Sequence, residues 1–167
     1  FLQHTGCRIS SRWAEHILVQ RRLISGYQEE KHSPSIPDAE QEINRVMQEM
    51  FPEVPAEYLF LANSGMNAFY AVFRFLQKRS VEKGRRCWLQ IGWLYLDTME
   101  ILKKFIPQDQ ELVVVQRPGN TEELLKILNE TPNEWAGIIG EFPSNPLLEC
   151  FDLERISEWS RKHDVPL

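Results

Sequence analysis

The chain alternates between short apolar runs of strand length and longer amphipathic stretches with helical spacing. Helices are predicted at 8–24, 38–51, 66–81, 94–105, 120–130 and 152–163. Strands are predicted at 58–62, 87–91, 111–116 and 136–140, with a further strand beginning near 165. The segments 88–91 and 112–115 are almost continuously apolar, which is typical of strands covered on both faces. The pattern therefore predicts an α/β fold, a parallel-type sheet with helices on both faces.

The organisation changes along the chain. Residues 1–54 are predicted to form a helical N-terminal arm, with a mobile loop near 25–37 where Ser, Pro and Gly are frequent. Residues 55–167 carry the alternation of strand and helix and are predicted to form one α/β domain. The last residues resemble a helix end, a turn and the start of a buried strand, so we expect the chain to be a fragment.

Three polar turns follow predicted strands. Ser64-Gly65-Met66 follows the first strand, Gly92 to Thr98 follows the second, and Gly140 to Leu148 follows the fourth. Ligands of parallel sheets bind outside the carboxyl ends of the strands, where all three turns are expected. The N–H groups of Gly65 and Met66 at a helix N-terminus suit an anion such as phosphate, although an ordinary helix cap explains the same residues.

Together these turns resemble one enzyme family. Ser64-Gly65-Met66, then Tyr95-x-x-Thr98, then Glu141-x-Pro143-Ser144-Asn145-Pro146-Leu147-Leu148 resemble the cysteine/methionine-metabolism family of pyridoxal-phosphate enzymes. That family includes cystathionine gamma-synthase, related lyases and homoserine-ester sulfhydrylases. Within it, residues 92–98 look similar to the fungal type of cystathionine gamma-synthase. The resemblance, over 55–167, implies the N-terminal part of a fold-type I (aspartate-aminotransferase-like) large domain, truncated before the Schiff-base lysine.

The resemblance implies a cofactor, pyridoxal 5'-phosphate, and a role for each matching residue. Gly65 and Met66 are expected to donate backbone hydrogen bonds to its phosphate, with Ser64 beside them. Tyr95 is expected to stack on the pyridine ring and, as the catalytic residue, to assist proton transfer through its hydroxyl. Asn145 is expected to hydrogen-bond the phenolic oxygen.

Several alternatives stay open. Trp93 competes with Tyr95 as the stacking residue, and either aromatic could instead pack in the core. Asn145 could satisfy its own backbone in a turn. The family more often has Tyr-Gly-Gly-Thr where this chain has Tyr95-Leu96-Asp97-Thr98, and its Tyr-Ser-Arg segment is absent. Arg12 is the nearest substitute, either as a clamp for a neighbour's cofactor phosphate or as a solvated surface residue.

The implied function is transsulfuration in methionine biosynthesis. We expect a full-length transferase or lyase, most closely a synthase joining an activated homoserine and cysteine into cystathionine, acting as a homodimer or homotetramer. The fragment alone is expected to be inactive. A gamma-lyase, a homoserine-ester sulfhydrylase or a non-catalytic scaffold of the same fold are the alternatives.

Composition narrows the function classes further. The chain has 167 residues, 43% of them hydrophobic, which suits a globular protein, and a net charge of −5, which argues against a nucleic-acid interface. No apolar run reaches the roughly 18 residues of a membrane span. The three cysteines lack metal-binding spacing and are expected to be reduced thiols in a cytoplasmic protein. No metal site is predicted.

Overall fold

The computed structural model describes residues 9–27, 38–117 and 119–167. Cys7, the start of the first predicted helix and most of the predicted loop at 25–37 lie outside these ranges. The chain divides into two compact units, Phe1–Leu61 and Ala62–Leu167.

The first unit contains two α-helices, α1 (Ser11–Gln20) and α2 (Ala39–Met50), followed by a short 3-10 turn at Ala56–Tyr58. Both helices begin at a capping side chain. The Ser10 hydroxyl accepts the Trp13 N–H at 3.2 Å, and the Asp38 carboxylate accepts the Gln41 N–H at 3.1 Å. Neither helix buries a residue within the described part of the chain.

The first helix is shorter than the predicted 8–24. Arg22 lies in the left-handed region with φ of 57°. The N–H groups of Arg22 and Leu23 turn back to the carbonyls of Val19 and Leu18, both at 2.9 Å. This double hydrogen bond ends a helix, so the apolar spacing that continues to Leu23 does not prolong it.

The strand predicted at 58–62 is wrong. After Pro55 the chain makes a 3-10 turn, in which the Tyr58 N–H donates to the Pro55 carbonyl at 2.9 Å. Phe60 is 86% exposed, and no strand is assigned there. A short apolar run does not by itself distinguish a strand from an exposed connection, because the neighbours that would pair with it are not encoded locally.

The second unit is built on a three-stranded parallel sheet. Its strands are β1 (Cys87–Ile91), β2 (Glu111–Val115) and β3 (Trp135–Gly140), in the order β2-β1-β3. β1 pairs with β2 from Cys87↔Glu111 to Ile91↔Val115, and with β3 from Trp88↔Gly137 to Ile91↔Gly140. Near residue 165, where a further strand was predicted to begin, no strand is assigned, but the Ile138 N–H donates to the Pro166 carbonyl at 2.8 Å.

Helices cover both faces of this sheet. They are α3 (Gly65–Glu82), α4 (Leu96–Phe105), α5 (Thr121–Glu130) and α6 (Leu153–His163). Leu124, Leu128, Ile156 and Trp159 of α5 and α6 pack with alternate strand residues on one face. Phe73 of α3 and Leu102 of α4 pack around Trp88 on the other face. The predicted α/β class with a parallel sheet covered on both faces is confirmed.

At the amino edge of the sheet, the ends of α3 and α6 are tied together. Asp164 pairs with Lys83 and, at 3.5 Å, with Arg79. Arg85 donates to the carbonyls of His163 and Asp164. The Lys83 ammonium, with the two arginines, holds the pKa of the Asp164 carboxyl below its ordinary value. Cationic side chains at helix C-termini complement the helix dipole, so this cluster has a structural explanation.

Candidate functional site

The carboxyl ends of β1 and β3 lie side by side. Because Ile91 and Gly140 are register partners in parallel strands, the turns that follow them leave the sheet at one edge. The chain turns sharply at Gly92, whose φ of 68° is available to glycine at little cost. The Gly92 N–H donates to the Val115 carbonyl at 2.7 Å, and the buried Gln90 amide donates to the Gly92 carbonyl at 3.1 Å. These bonds fix the start of the second motif.

The turn after Gly92 separates its aromatic residues from its core residue. Leu94 is buried at 2% exposure, whereas Trp93 and Tyr95 are 55% and 50% exposed. Tyr95 is the N-cap residue of α4, which explains why this helix begins two residues later than predicted. The alternative that these aromatics pack in the core is therefore wrong, and both rings remain accessible at the carboxyl edge.

Glu141 links the two neighbouring turns. It is the first residue after β3, and its carboxylate oxygen Oε2 accepts the backbone N–H of Tyr95 at 2.9 Å. The second and third motifs, 46 residues apart at this contact, therefore meet directly.

The loop that carries Asn145 is held by its neighbour Ser144. The buried Ser144 hydroxyl accepts the Glu149 N–H at 3.0 Å, and the Ser144 N–H donates to the Glu149 carbonyl at 3.0 Å. The Leu148 N–H closes the turn on the Ser144 carbonyl at 2.8 Å. Asn145 itself is exposed. The loop thus presents the Asn145 amide to solvent from a fixed backbone.

The N-terminus of α3 has the predicted form, although no strand precedes it. Ser64 is the N-cap residue, and its hydroxyl accepts the Asn67 N–H at 3.2 Å. The N–H groups of Gly65 and Met66 come before the first intrahelical hydrogen bond and have no acceptor within the helix. Gly65 is exposed, and a Cβ atom placed on it would meet nothing within 4 Å, so the first residue of α3 lies at an open surface.

The direction of α3 brings this N-terminus to the carboxyl edge. The helix ends just before β1 begins, and the ring of Phe73 lies 5.1 Å from the ring of Trp88, near the start of that strand. Gly65 precedes Phe73 by eight residues, about 12 Å of helix. Ile91 lies three residues beyond Trp88, about 10 Å along the strand. In agreement with these lengths, Phe69 of α3 lines a cavity together with Gly140 at the end of β3. Gly65 lies one helical turn before Phe69, in the direction of the carboxyl edge.

The residues at this edge fit the chemistry of pyridoxal phosphate. Two backbone donors at the positive end of a helix suit a phosphate. An accessible aromatic ring suits a flat conjugated heterocycle, and an exposed amide can donate to a phenolic oxygen. The predicted site residues Ser64, Gly65, Met66, Tyr95 and Asn145 all lie in the second unit. Arg12 lies on α1, in the first unit, and its proposed role stays a prediction.

Comparison with known proteins gives two informative similarities. The chain is 36% identical over 158 residues to an L-2-amino-4-chloropent-4-enoate dechlorinase/desaturase from Streptantibioticus cattleyicolor, covering 94% of this chain and 31% of that protein. It is 28% identical over 154 residues to a cystathionine gamma-synthase from Neurospora crassa, covering 87% of this chain and 24% of that protein. The chain thus spans about a third and a quarter of the length of these relatives. No protein-family model matches the chain, and no solved structure matches it.

These similarities support the family to which the motifs point. Cystathionine gamma-synthase is a member of the family that the sequence resembles, and the similarity extends over most of the chain. The predicted fold class, an α/β domain with a parallel sheet covered on both faces, is confirmed, and the chain is similar to a part of each of these two relatives.

The described ranges hold no group of three or more His, Cys, Asp or Glu side chains that could bind a metal ion. In the same ranges, no helix combines the length and apolar character that a membrane span needs. The contact that sequence reasoning missed is the one between Glu141 and Tyr95. The sequence shows only that the predicted helix after Gly92 has no Ser, Thr, Asn or Asp immediately before it, which does not identify Glu141 as the partner.

Proposed function

We propose that the chain is part of a pyridoxal-phosphate enzyme of the cysteine/methionine-metabolism family and contributes one wall of its cofactor site. The observation that supports this most strongly is the meeting of the second and third motifs at one sheet edge through Glu141 and Tyr95. An isolated motif could be a common turn. Motifs that occur in the family's order and meet at a ligand-binding edge are much harder to explain by chance.

The chain's own residues divide the binding task. Gly65 and Met66 donate their N–H groups to the phosphate, and Ser64 holds the first turn of α3 in place. Tyr95 packs its ring on the cofactor and places a hydroxyl where it can move a proton. Asn145 donates to the phenolic oxygen and stabilises its anionic form. When bound, the cofactor supplies an electron sink for carbanions, and the protein supplies orientation and electrostatics.

The names of the two relatives suggest the substrate class. One relative acts on a 2-amino acid that bears chlorine on carbon 4, and the other is a gamma-synthase. Carbon 4 of such an acid is the γ-carbon, so both names describe chemistry at the same position. We therefore propose an α-amino acid with a leaving group on its γ-carbon as the substrate.

Within that class we propose the synthase reaction in which the cysteine thiol replaces the γ-substituent of an activated homoserine, giving cystathionine. The 36% identity to a dechlorinase/desaturase favours one other candidate, loss of the γ-substituent without a thiol acceptor. The chain spans only part of the length of its relatives. For the whole protein we propose a Schiff-base lysine, assembly as a homodimer or homotetramer, and a cytoplasmic location.

A product assay tests this function. We expect the full-length protein, loaded with pyridoxal phosphate, to convert an O-acylated homoserine and cysteine into a thioether detectable by mass spectrometry. The 167-residue chain alone is expected to give no product, because it spans only about a third and a quarter of the length of the two enzymes to which it is similar. Release of the γ-substituent with no thioether would transfer the assignment to the elimination reaction. No conversion of any γ-substituted amino acid by the loaded protein would contradict the proposal.

A further inference from the structure

The helix α4 begins at an unusual residue. The other α-helices in the described ranges each start at a side chain that caps its own helix: Ser10, Asp38, Ser64, Asn120 and Asp152. At α4 the N-cap residue is Tyr95, and its side chain makes no capping hydrogen bond. A phenol ring cannot fold back onto the first turn as a short polar side chain does. The helix therefore needs another group at its start.

Glu141 provides that group from the neighbouring strand. Its carboxylate, just after the end of β3, accepts the N–H of Tyr95 in the turn after β1 at 2.9 Å. In a capping box, a Glu three residues into the helix accepts the same N–H of the N-cap residue. Thr98 occupies that position in α4, and Glu141 takes over the task from outside the helix. Its negative charge also lies at the positive end of the helix dipole, where it is stabilising.

Because Glu141 supplies this contact from outside the helix, the N-cap position of α4 can be occupied by an aromatic residue. Tyr95 stays half exposed at the sheet edge, while its backbone is held between Leu94, which is buried, and the carboxylate of Glu141. The hydrogen bond therefore holds the backbone position from which the ring of Tyr95 projects.

We propose that Glu141 is a positioning residue that holds Tyr95 in place for cofactor stacking. This rests on the proposed function for the role of Tyr95, whereas the anchoring of Tyr95 by Glu141 stands on the hydrogen bond alone. Glu141 acts through Tyr95, so its effect on the cofactor vanishes when Tyr95 is absent.

The anchoring is tested by residue-resolved amide hydrogen exchange on the full-length protein. Glu141→Ala removes the acceptor and is expected to speed exchange of the Tyr95 N–H by about tenfold or more, since a hydrogen bond to a charged group is involved. Glu141→Gln keeps a neutral acceptor and is expected to give a smaller increase. The control is Glu149→Ala, which is expected to leave the exchange of the Tyr95 N–H unchanged. It removes a carboxylate from the same loop, and Glu149 bonds to Ser144 through its backbone alone. Amides of β1 report whether each variant remains folded.

The effect on the cofactor is tested by the affinity for pyridoxal phosphate, measured by equilibrium dialysis. Glu141→Ala is expected to weaken binding several-fold in the protein with Tyr95 and to leave it unchanged in a Tyr95→Ala background. An unaltered Tyr95 exchange rate in Glu141→Ala, or an equal loss of affinity in both backgrounds, would overturn the proposal. If no variant binds the cofactor, the proposed function fails, and the exchange measurement alone decides whether Glu141 anchors Tyr95.

Discussion

Replacing Trp88 by alanine is expected to lower the free energy of unfolding by about 3–5 kcal/mol, the loss typical of a large aromatic side chain removed from a core. Trp88 lies on the central strand and is 1% exposed. Its ring packs 5.1 Å from Phe73, and its indole N–H donates to the Gln110 side chain at 2.9 Å. The alanine variant would leave a cavity on the face covered by α3 and α4 and remove the donor to Gln110.

Denaturant unfolding followed by circular dichroism measures this loss. Trp93→Ala serves as the matched control, because it removes the same side chain from a site that is 55% exposed. We expect the control to change stability by less than about 1 kcal/mol. Equal losses of unfolding free energy in Trp88→Ala and Trp93→Ala would contradict the burial of Trp88 in the core.

A substitution at Gly137 tests the packing around Trp88 independently. A Cβ atom on Gly137 would lie 2.7 Å from Cζ3 of Trp88, closer than packed carbon atoms come. Gly137→Ala alone should therefore cost about 1–3 kcal/mol by overpacking. In the Trp88→Ala background the same methyl group enters vacated space, so its cost should largely disappear. Additive losses would contradict the close packing of these two residues.

The second large effect concerns the cofactor. In the full-length protein, Tyr95→Ala is expected to weaken the binding of pyridoxal phosphate by about 1 kcal/mol or more, because both the stacking and the buried area are lost. Tyr95→Phe keeps the aromatic face and should keep the affinity, but it should lower turnover, since the hydroxyl that moves protons is gone. Equilibrium dialysis and initial rates measure the two effects.

Trp93→Ala is again the control for this experiment. The Trp93 side chain is also exposed at the edge. Within the described part of the chain, however, no side chain accepts its backbone N–H as Glu141 accepts that of Tyr95. We expect it to leave cofactor affinity within about twofold of the unchanged protein. A loss of affinity in Trp93→Ala without one in Tyr95→Ala would transfer the stacking role to Trp93.

The sequence predicts the sheet better than it predicts the connections. β1, β2 and β3 agree with the predicted strands to within a residue, because buried parallel strands are continuous apolar runs with clear ends. The same criterion failed at 58–62, where an equally apolar run is a 3-10 turn followed by an exposed segment. Whether an apolar run becomes a strand depends on a pairing partner distant in sequence, which periodicity does not reveal.

In the site, too, local contacts can be predicted from the sequence and long-range contacts cannot. The caps at Ser64, Asn120 and Asp152 were readable, since each residue acts on its own helix within three positions. The hydrogen bond from Tyr95 to Glu141 joins residues 46 apart and depends on β1 and β3 being neighbours. Local sequence rules carry no information about that adjacency. The exposure of Trp93 and Tyr95 on either side of the buried Leu94 likewise follows from the turn at Gly92.

The claim that the carboxyl edge of this sheet binds pyridoxal phosphate is tested most directly by mapping where the cofactor protects the backbone. Hydrogen exchange of the full-length protein is measured with and without pyridoxal phosphate. Within residues 62–167, protection is predicted for 64–67, 93–98 and 141–147, and the peptides of α5 at 121–130 should be unchanged. Protection centred on α5, or none in the three motifs while the cofactor is bound, would contradict the claim.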